Sequence, residues 1–308
     1  MENQSAVETT VPGPASAGQP PFSTEWRRLR PVEALCHVTG AVLVGSGLFH
    51  LVVLAVDGGS WEGPVSWRKP VTFGFSFGLT LATVTWVSSY IRLGNRVRAV
   101  LLGLLAADCV LEVGGITLQA WRGVPSHFNM ETPFDTAVSM SLAVGGGLLV
   151  GILATLAIAS FTWRPQGPAG MALALRAGWA ILLVGLLSGM AMIARGVYLT
   201  RTGHQSAGYR STASLKPLHG VSLHAILVLP ALARLLARTS WSARTRRSVV
   251  RAAAGCCAAL VVAALAWAVA DARSTKPLGH SSIHVTMDIY TFVRSTPSVP
   301  PSSTSAML

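Results

Sequence analysis

Seven apolar blocks, each about twenty residues or longer, constrain this chain more than any other feature of it. They run roughly Val32–Val56, Val71–Ile91, Ala99–Gln119, Thr136–Phe161, Met171–Ile193, Leu218–Ala237 and Val249–Ala270. A helix of ~20 apolar residues crosses the ~30 Å hydrocarbon layer of a bilayer. Block length and the lack of strict alternation select helices over barrel strands. Charge agrees: 12% of the residues are charged against about a quarter in soluble domains, 51% are hydrophobic, and mean hydropathy is +0.52. The expected fold class is all-α, a polytopic integral membrane helical bundle of about seven transmembrane helices. A soluble globular domain is excluded, and the lipid bilayer is the first partner implied.

Three regions follow. Residues 1–31 are rich in Pro, Gly, Ser and Thr and form an expected disordered N-terminal tail. Residues 32–270 are the seven-helix transmembrane domain, and 271–308 a polar, expected disordered C-terminal tail. The polar leader is too long, and the first apolar block too extended, for a signal peptide. The short apolar piece Ile289–Val293 carries no specific role. Inside the spans, Gly147/Gly151 and Gly185/Gly189 have small-xxx-small spacing, which predicts tight packing of the fourth and fifth spans.

A formal charge of +12 raises the question of nucleic acid, but the distribution answers it. Basic residues gather at span ends, as in Arg27-Arg28-Arg30, Arg92/Arg96/Arg98 and the group from Arg234 to Arg251. These read as interfacial anchors and orientation signals beside anionic lipid, with no nucleic-acid partner. The N-terminus and the even-numbered loops carry the larger share, including Arg164. Arg68, Lys69, Arg122, Arg195, Arg201, Arg210, Lys216, Arg273, Lys276 and Arg294 lie on the other side. The expectation is a multi-pass protein of the cell membrane with a cytoplasmic N-terminus. Cys36, Cys109, Cys256 and Cys257 all fall within spans and form no CxxC pair, which argues against thiol chemistry and structural zinc.

Polar side chains within spans are costly and therefore mark function by default. In the third span Asp108, Glu112 and Gln119, spaced by four and seven, share one helical stripe. The loop beyond reads Trp121-Arg122-Gly123-Val124-Pro125-Ser126-His127-Phe128-Asn129 and runs on to Asp135, too rich in polar and turn-forming residues for a passive connector. The first span ends near His50 and Asp57, and the loop after it holds Trp61-Glu62 and Trp67-Arg68-Lys69. The sixth opens at Lys216-Pro217-Leu218-His219-Gly220, with His224 just over a turn deeper. Alternating topology puts all of these on one membrane face, whichever way the protein is oriented. Glu112, Asp108, His127 and His50 are the catalytic candidates. Trp67, Arg68, Arg122, Asn129, Asp135, His219, His224 and Phe75 are the substrate-binding candidates.

Each residue has a plainer reading beside the functional one. Glu112 and Asp108 could be matched to an Arg or His, and His50 could serve a backbone carbonyl. Arg68 and Lys69 could be interfacial anchors, and Asp57 and Asp135 solvated helix caps. His219 and His224 lie about 140° apart around a helix, so a regular helix cannot turn both toward one metal. The run Phe73-Gly74-Phe75-Ser76-Phe77-Gly78 could be lipid contact, or the aromatic wall of a cavity for a lipophilic or cationic substrate.

Ser66-Trp67-Arg68-Lys69-Pro70 and Arg122-Gly123-x-x-Ser126-His127-Phe128-Asn129, with the late His219-x4-His224 pair, resemble motifs of a group of bacterial seven-helix membrane proteins. The resemblance covers residues 32–270 and implies that architecture, without an activity. In size, span count and an intramembrane carboxylate the chain is also similar to the membrane-bound terpene cyclases of actinobacterial indole–terpenoid (drimentine-type) pathways. That likeness is architectural and transfers no residue.

Three functions fit these features. The first is a membrane enzyme on a lipophilic small-molecule substrate, in its concrete form acid-initiated cyclisation of a prenyl or terpenoid chain. Glu112 or Asp108, kept protonated by burial, would give the proton, and His127 or His50 would take the last one. No cofactor or metal is assigned to it. The charge bias places this cluster on the outer face, away from a cytosolic substrate supply. The second is a haem or metal redox protein with His50 and His224 as ligands, although CxxCH and HExxH are missing from the sequence. The third is a transporter or sensor with a polar cavity and a sixth span interrupted at Pro217 and Pro230.

Overall fold

The structure is a computed structural model that describes residues 29–274 apart from Ser60, Glu62, Arg164, Ser206 and 209–212. The two expected tails therefore fall almost wholly outside the described residues. So do Ile289–Val293, Arg27, Arg28, Arg210, Lys276 and Arg294.

Eight helices make up the described chain: α1 Pro31–Asp57, α2 Arg68–Ser88, α3 Asn95–Trp121, α4 Pro133–Thr162, α5 Met171–Arg201, α6 Lys216–Leu223, α7 Ala225–Leu236 and α8 Ala243–Ser274. Seven spans are long and apolar enough to cross a membrane, with α6 and α7 forming one of them, and no strand occurs among the described residues. The protein is an all-α, multi-pass bundle. Its elements extend past the apolar blocks because interfacial residues continue the helices. Pro31 and Pro133, each in the first turn, suit helix starts, where no amide partner is needed.

The most extensive helix contact joins α1 and α2. Gly40 and Gly47 on α1 face Gly74 and Gly78 on α2. A Cβ on Gly78 would lie 2.6 Å from the Gly40 carbonyl oxygen, and one on Gly74 would lie 2.8 Å from Gly47 Cα. Membrane helices lack a hydrophobic force between them, so bare backbone surfaces that allow close approach supply the packing energy. The expectation for Gly147/Gly151 fails: a Cβ on either would meet nothing within 4 Å. Gly185 and Gly189 do pack, but against α6 at Ser222 and His219 rather than against the fourth span. Small-residue spacing shows where a helix can be approached, not which neighbour arrives.

From α1 and α2 the bundle continues through α3 and α4 to α5, which carries α6 and α7, and α7 returns to α2. Leu81, Leu102, Leu105, Cys109, Leu156, Leu175, Trp179 and Leu229 fill the centre and are almost completely buried. The last span, α8, is the least buried of the seven. Arg98 departs from its expected role as an anchor. It is buried and donates to the carbonyls of Ser88 at 2.6 Å and Ile91 at 3.0 Å, closing the end of α2, with Glu33 3.8 Å away.

Candidate functional site

Asp108 stands thirteen residues from either end of α3, so it lies ~20 Å along the helix from each and close to mid-membrane. Glu112 is one turn nearer the α3–α4 loop. Both are buried, at 4% and 3% exposure. They face α4 at the only residue type that leaves room for them. A Cβ on Gly145 would lie 2.8 Å from Asp108 Oδ1 and 2.8 Å from Glu112 Oε1. Asp108 Oδ2 and Glu112 Oε1 are buried with no hydrogen-bond partner, and among the described residues no cation forms an ion pair with either group. The structural pairing that would make these acids inert is therefore not made. An uncompensated charge at this depth would cost several kcal/mol.

Two apolar side chains bound the pair. Leu111 Cδ2 lies 3.2 Å from the same point at Gly145, and Leu111 is 45% exposed on the outside of the bundle. One leucine thus stands between the carboxyls and the lipid-facing surface. Toward the loop, Leu142 on α4 packs onto Gly115, where a Cβ would lie 2.9 Å from Leu142 Cδ2, and it is 2% exposed. It separates the carboxyls from the polar residues above.

Those residues form a clamp around Asp135. Its Oδ1 accepts from Gln119 Nε2 at 3.0 Å and from Arg122 Nη1 at 2.5 Å; its Oδ2 accepts from the Thr132 hydroxyl at 2.7 Å. Arg122 also donates to Gln119 Oε1 and lies 4.7 Å over the Phe134 ring. Asp135 is therefore a buried junction of α3, α4 and their loop rather than a solvated cap. Ser139, one turn on, accepts from the Asn129 amide at 3.2 Å and donates to the Asn129 carbonyl at 2.9 Å. Asn129 is completely buried, its Oδ1 takes the Glu131 amide, and its Nδ2 has no partner. Phe128 holds the left-handed backbone at φ 59, which a bulky residue seldom adopts. Its ring lies on Gly196 of α5, and its carbonyl accepts from Gln205 at 2.9 Å. The motif-like loop is thus pinned to α4 and α5 from within.

His127 is half-buried, 3.0 Å from the Ser126 hydroxyl and ring to ring with Phe73 at 5.9 Å. Burial, helped by the nearby Lys69 charge, lowers its pKa to about 3, so the ring is a neutral imidazole at physiological pH.

The remaining candidates are placed differently from their expected convergence. His50 Nδ1 donates to the Ser46 carbonyl at 2.7 Å, which fixes the tautomer, and Nε2 accepts from Trp121 Nε1 at 3.1 Å. Both ring nitrogens are therefore engaged. Trp67 packs edge-on to Trp121 at 5.0 Å, stacks on His50 at 6.0 Å and donates to Asp57 at 2.7 Å. This cluster closes the ends of α1, α2 and α3. Arg68 lies 5.9 Å from the Trp61 ring. Phe75 does not join an aromatic wall. Residues i and i+4 share a helix face but i+2 does not. Phe73 therefore stacks on Phe77 at 5.7 Å, while Phe75 packs on Gly47 in the α1–α2 seam. His219 donates from Nδ1 to the Gly185 carbonyl at 2.8 Å. His224 is exposed and donates to the Gly220 carbonyl at 2.6 Å, away from the carboxyl pair's enclosure.

Gly145, Leu111, Leu142 and Ser139 escaped the sequence reading. The Gly145-Gly146-Gly147 run was visible, but nothing local says which glycine faces the acids. Among the described residues, no group of three His, Cys, Asp or Glu side chains is arranged to hold a metal. Set beside known proteins, the chain matches no family model, no curated protein and no solved structure.

Proposed function

We propose that this protein is a membrane-embedded acid catalyst acting on a lipophilic small molecule that reaches it from the bilayer. The observation that carries the reading is the unpaired Asp108–Glu112 couple at Gly145, one leucine from the lipid surface. A carboxyl held protonated in a dry site is what protonation of a weakly basic carbon requires. The concrete form is cyclisation of a prenyl or terpenoid chain. The acid O–H protonates an alkene carbon and becomes a carboxylate. An internal alkene attacks the resulting cation and closes the ring, and a neighbouring C–H loses its proton back to the carboxyl pair. The product is an isomer of the substrate, with no co-reactant needed. The couple itself is a nearer final base than His127, which lies on the loop side of Leu142, or His50, whose nitrogens are both engaged. The expected orientation keeps the N-terminus cytoplasmic and the α3–α4 loop outside. Entry through the bilayer removes the objection that a cytosolic substrate would arrive on the wrong face.

The test is conversion of prenylated substrates by the purified protein in lipid nanodiscs. Glu112→Gln or Asp108→Asn is expected to lower turnover by roughly 10²- to 10⁴-fold, the range of general acid catalysis. Leu111→Trp is expected to raise KM by narrowing the lateral approach. Full turnover in both carboxamide variants overturns the reading. A second reading, proton-coupled transport, draws on the interruption of the sixth span at His224. It predicts pH-driven uptake into vesicles with no chemical change in the solute.

A further inference from the structure

The opposite face of the bundle carries a polar feature that the carboxyl pair does not use. Arg244, Arg247, Ser248 and Arg251 recur at spacings of three, four and seven on the first turns of α8, so they form one stripe. They line a cavity of about 500 Å³. Beside it lies another of about 440 Å³, which shares Arg247 and Arg251 and has the turn around Pro168 and the start of α5, at Ala172 and Leu173, as its other wall. The inner end is closed: Gly170, at φ 97, comes so near α8 that a Cβ would lie 3.1 Å from Val250 Cγ2.

Charge and depth identify the occupant. Arg244, Arg247 and Arg251 form no ion pair with any described carboxylate, and neither cavity is lined by an acid. Trp163 and Trp241, 56% and 49% exposed, precede the two walls. Exposed tryptophans of this kind sit at headgroup level. Arg251 already lies inside the apolar block that begins at Val249, so the groove runs from the headgroup layer into the hydrocarbon edge. Free phosphate would have no use for that apolar wall. We infer that the groove between α8 and the α4–α5 turn binds the phosphate of an anionic phospholipid, with an acyl chain laid along Ala172 and Leu173. Guanidinium forks pair with phosphate oxygens two at a time, and basic pockets between membrane helices hold anionic headgroups. The lipid would dock α8, the least buried span, onto the bundle.

Native mass spectrometry of the full chain, released from nanodiscs of mixed phosphatidylglycerol and phosphatidylcholine, tests this. One phosphatidylglycerol is expected to stay bound in preference to phosphatidylcholine. Arg247→Gln with Arg251→Gln is expected to weaken retention by roughly 25-fold, about five-fold for each arginine. Ala172→Trp fills the groove at unchanged charge and is expected to lose the lipid as well. Arg92→Gln with Arg96→Gln, on the same face outside the groove, is expected to keep it. Three results would each overturn the proposal: equal retention of both lipids, loss in the Arg92/Arg96 control as large as in the Arg247/Arg251 variant, or displacement by inorganic phosphate as effective as by added phosphatidylglycerol.

Discussion

At the scale of single residues, Gly145 decides what the two acids can be. Any side chain there would occupy the space their oxygens fill, 2.8 Å from each. Gly145→Ala is therefore expected to push the carboxyl ends aside while the helices hold. Turnover should fall roughly tenfold to a hundredfold, as small misplacements of catalytic groups do. The melting temperature should move by only a few degrees, since the displaced atoms are flexible side-chain ends. A large drop in melting temperature with normal turnover would contradict this. His127 makes a pH prediction. Its folded pKa of about 3 lies below the ordinary 6.5, so the unfolded chain binds the extra proton first. Its contribution to stability is complete above about pH 6.5 and is lost as pH falls toward 3. Thermal unfolding measured across that window should show the slope, and His127→Gln should flatten it.

Helix pairs tell a different story, in which backbone contact outweighs side chains. The α1–α2 seam rests on Gly40, Gly47, Gly74 and Gly78, and at Gly78 the nearest obstacle is a carbonyl oxygen that cannot swing away. Gly78→Leu is expected to cost about 2 kcal/mol or more and to loosen these two spans. Thermal unfolding in detergent, beside Gly147→Leu as a control in open space, is the comparison; similar shifts for both would refute the seam. The same pair explains why the phenylalanine run misleads: helical periodicity splits it, Phe73 and Phe77 to one side and Phe75 into the seam. In the sixth span the break falls at His224. Its ring takes the Gly220 carbonyl that its own amide serves in a regular helix. Neither Pro217, in the first turn of α6, nor Pro230, inside α7, marks the interruption.

Across the whole molecule, the polar loop, the clamp at Asp135 and the nearer ends of six spans occupy one face, and the arginine groove occupies the other. Under the positive-inside rule, the bias of basic residues predicts that the groove face is cytoplasmic. In a background with the native cysteines replaced, Arg96→Cys is expected to resist a membrane-impermeant maleimide in intact cells, and Gly123→Cys to react. The reverse pattern would invert the orientation. The proposed lateral access past Leu111 does not depend on that outcome, because Leu111 faces outward from the bundle in either orientation.

Span number, helical class and the stripe of Asp108, Glu112 and Gln119 were legible in the sequence because each rests on a local rule. An apolar run must match the bilayer, and residues four or seven apart share a helix face. The acids were also recognisable as unusual, since charge at that depth is expensive wherever the helix goes. What the sequence could not say is which groups answer one another. Asp135 reads as a surface cap until Gln119 and Arg122 arrive from α3. His50 reads as a free base until Trp121 takes its second nitrogen. Gly147 reads as a packing site until α4 turns it outward. Each of these depends on the rotation and neighbours of whole helices. Those are set by the sum of many small packing contacts across the bundle, and no single stretch of sequence contains that sum.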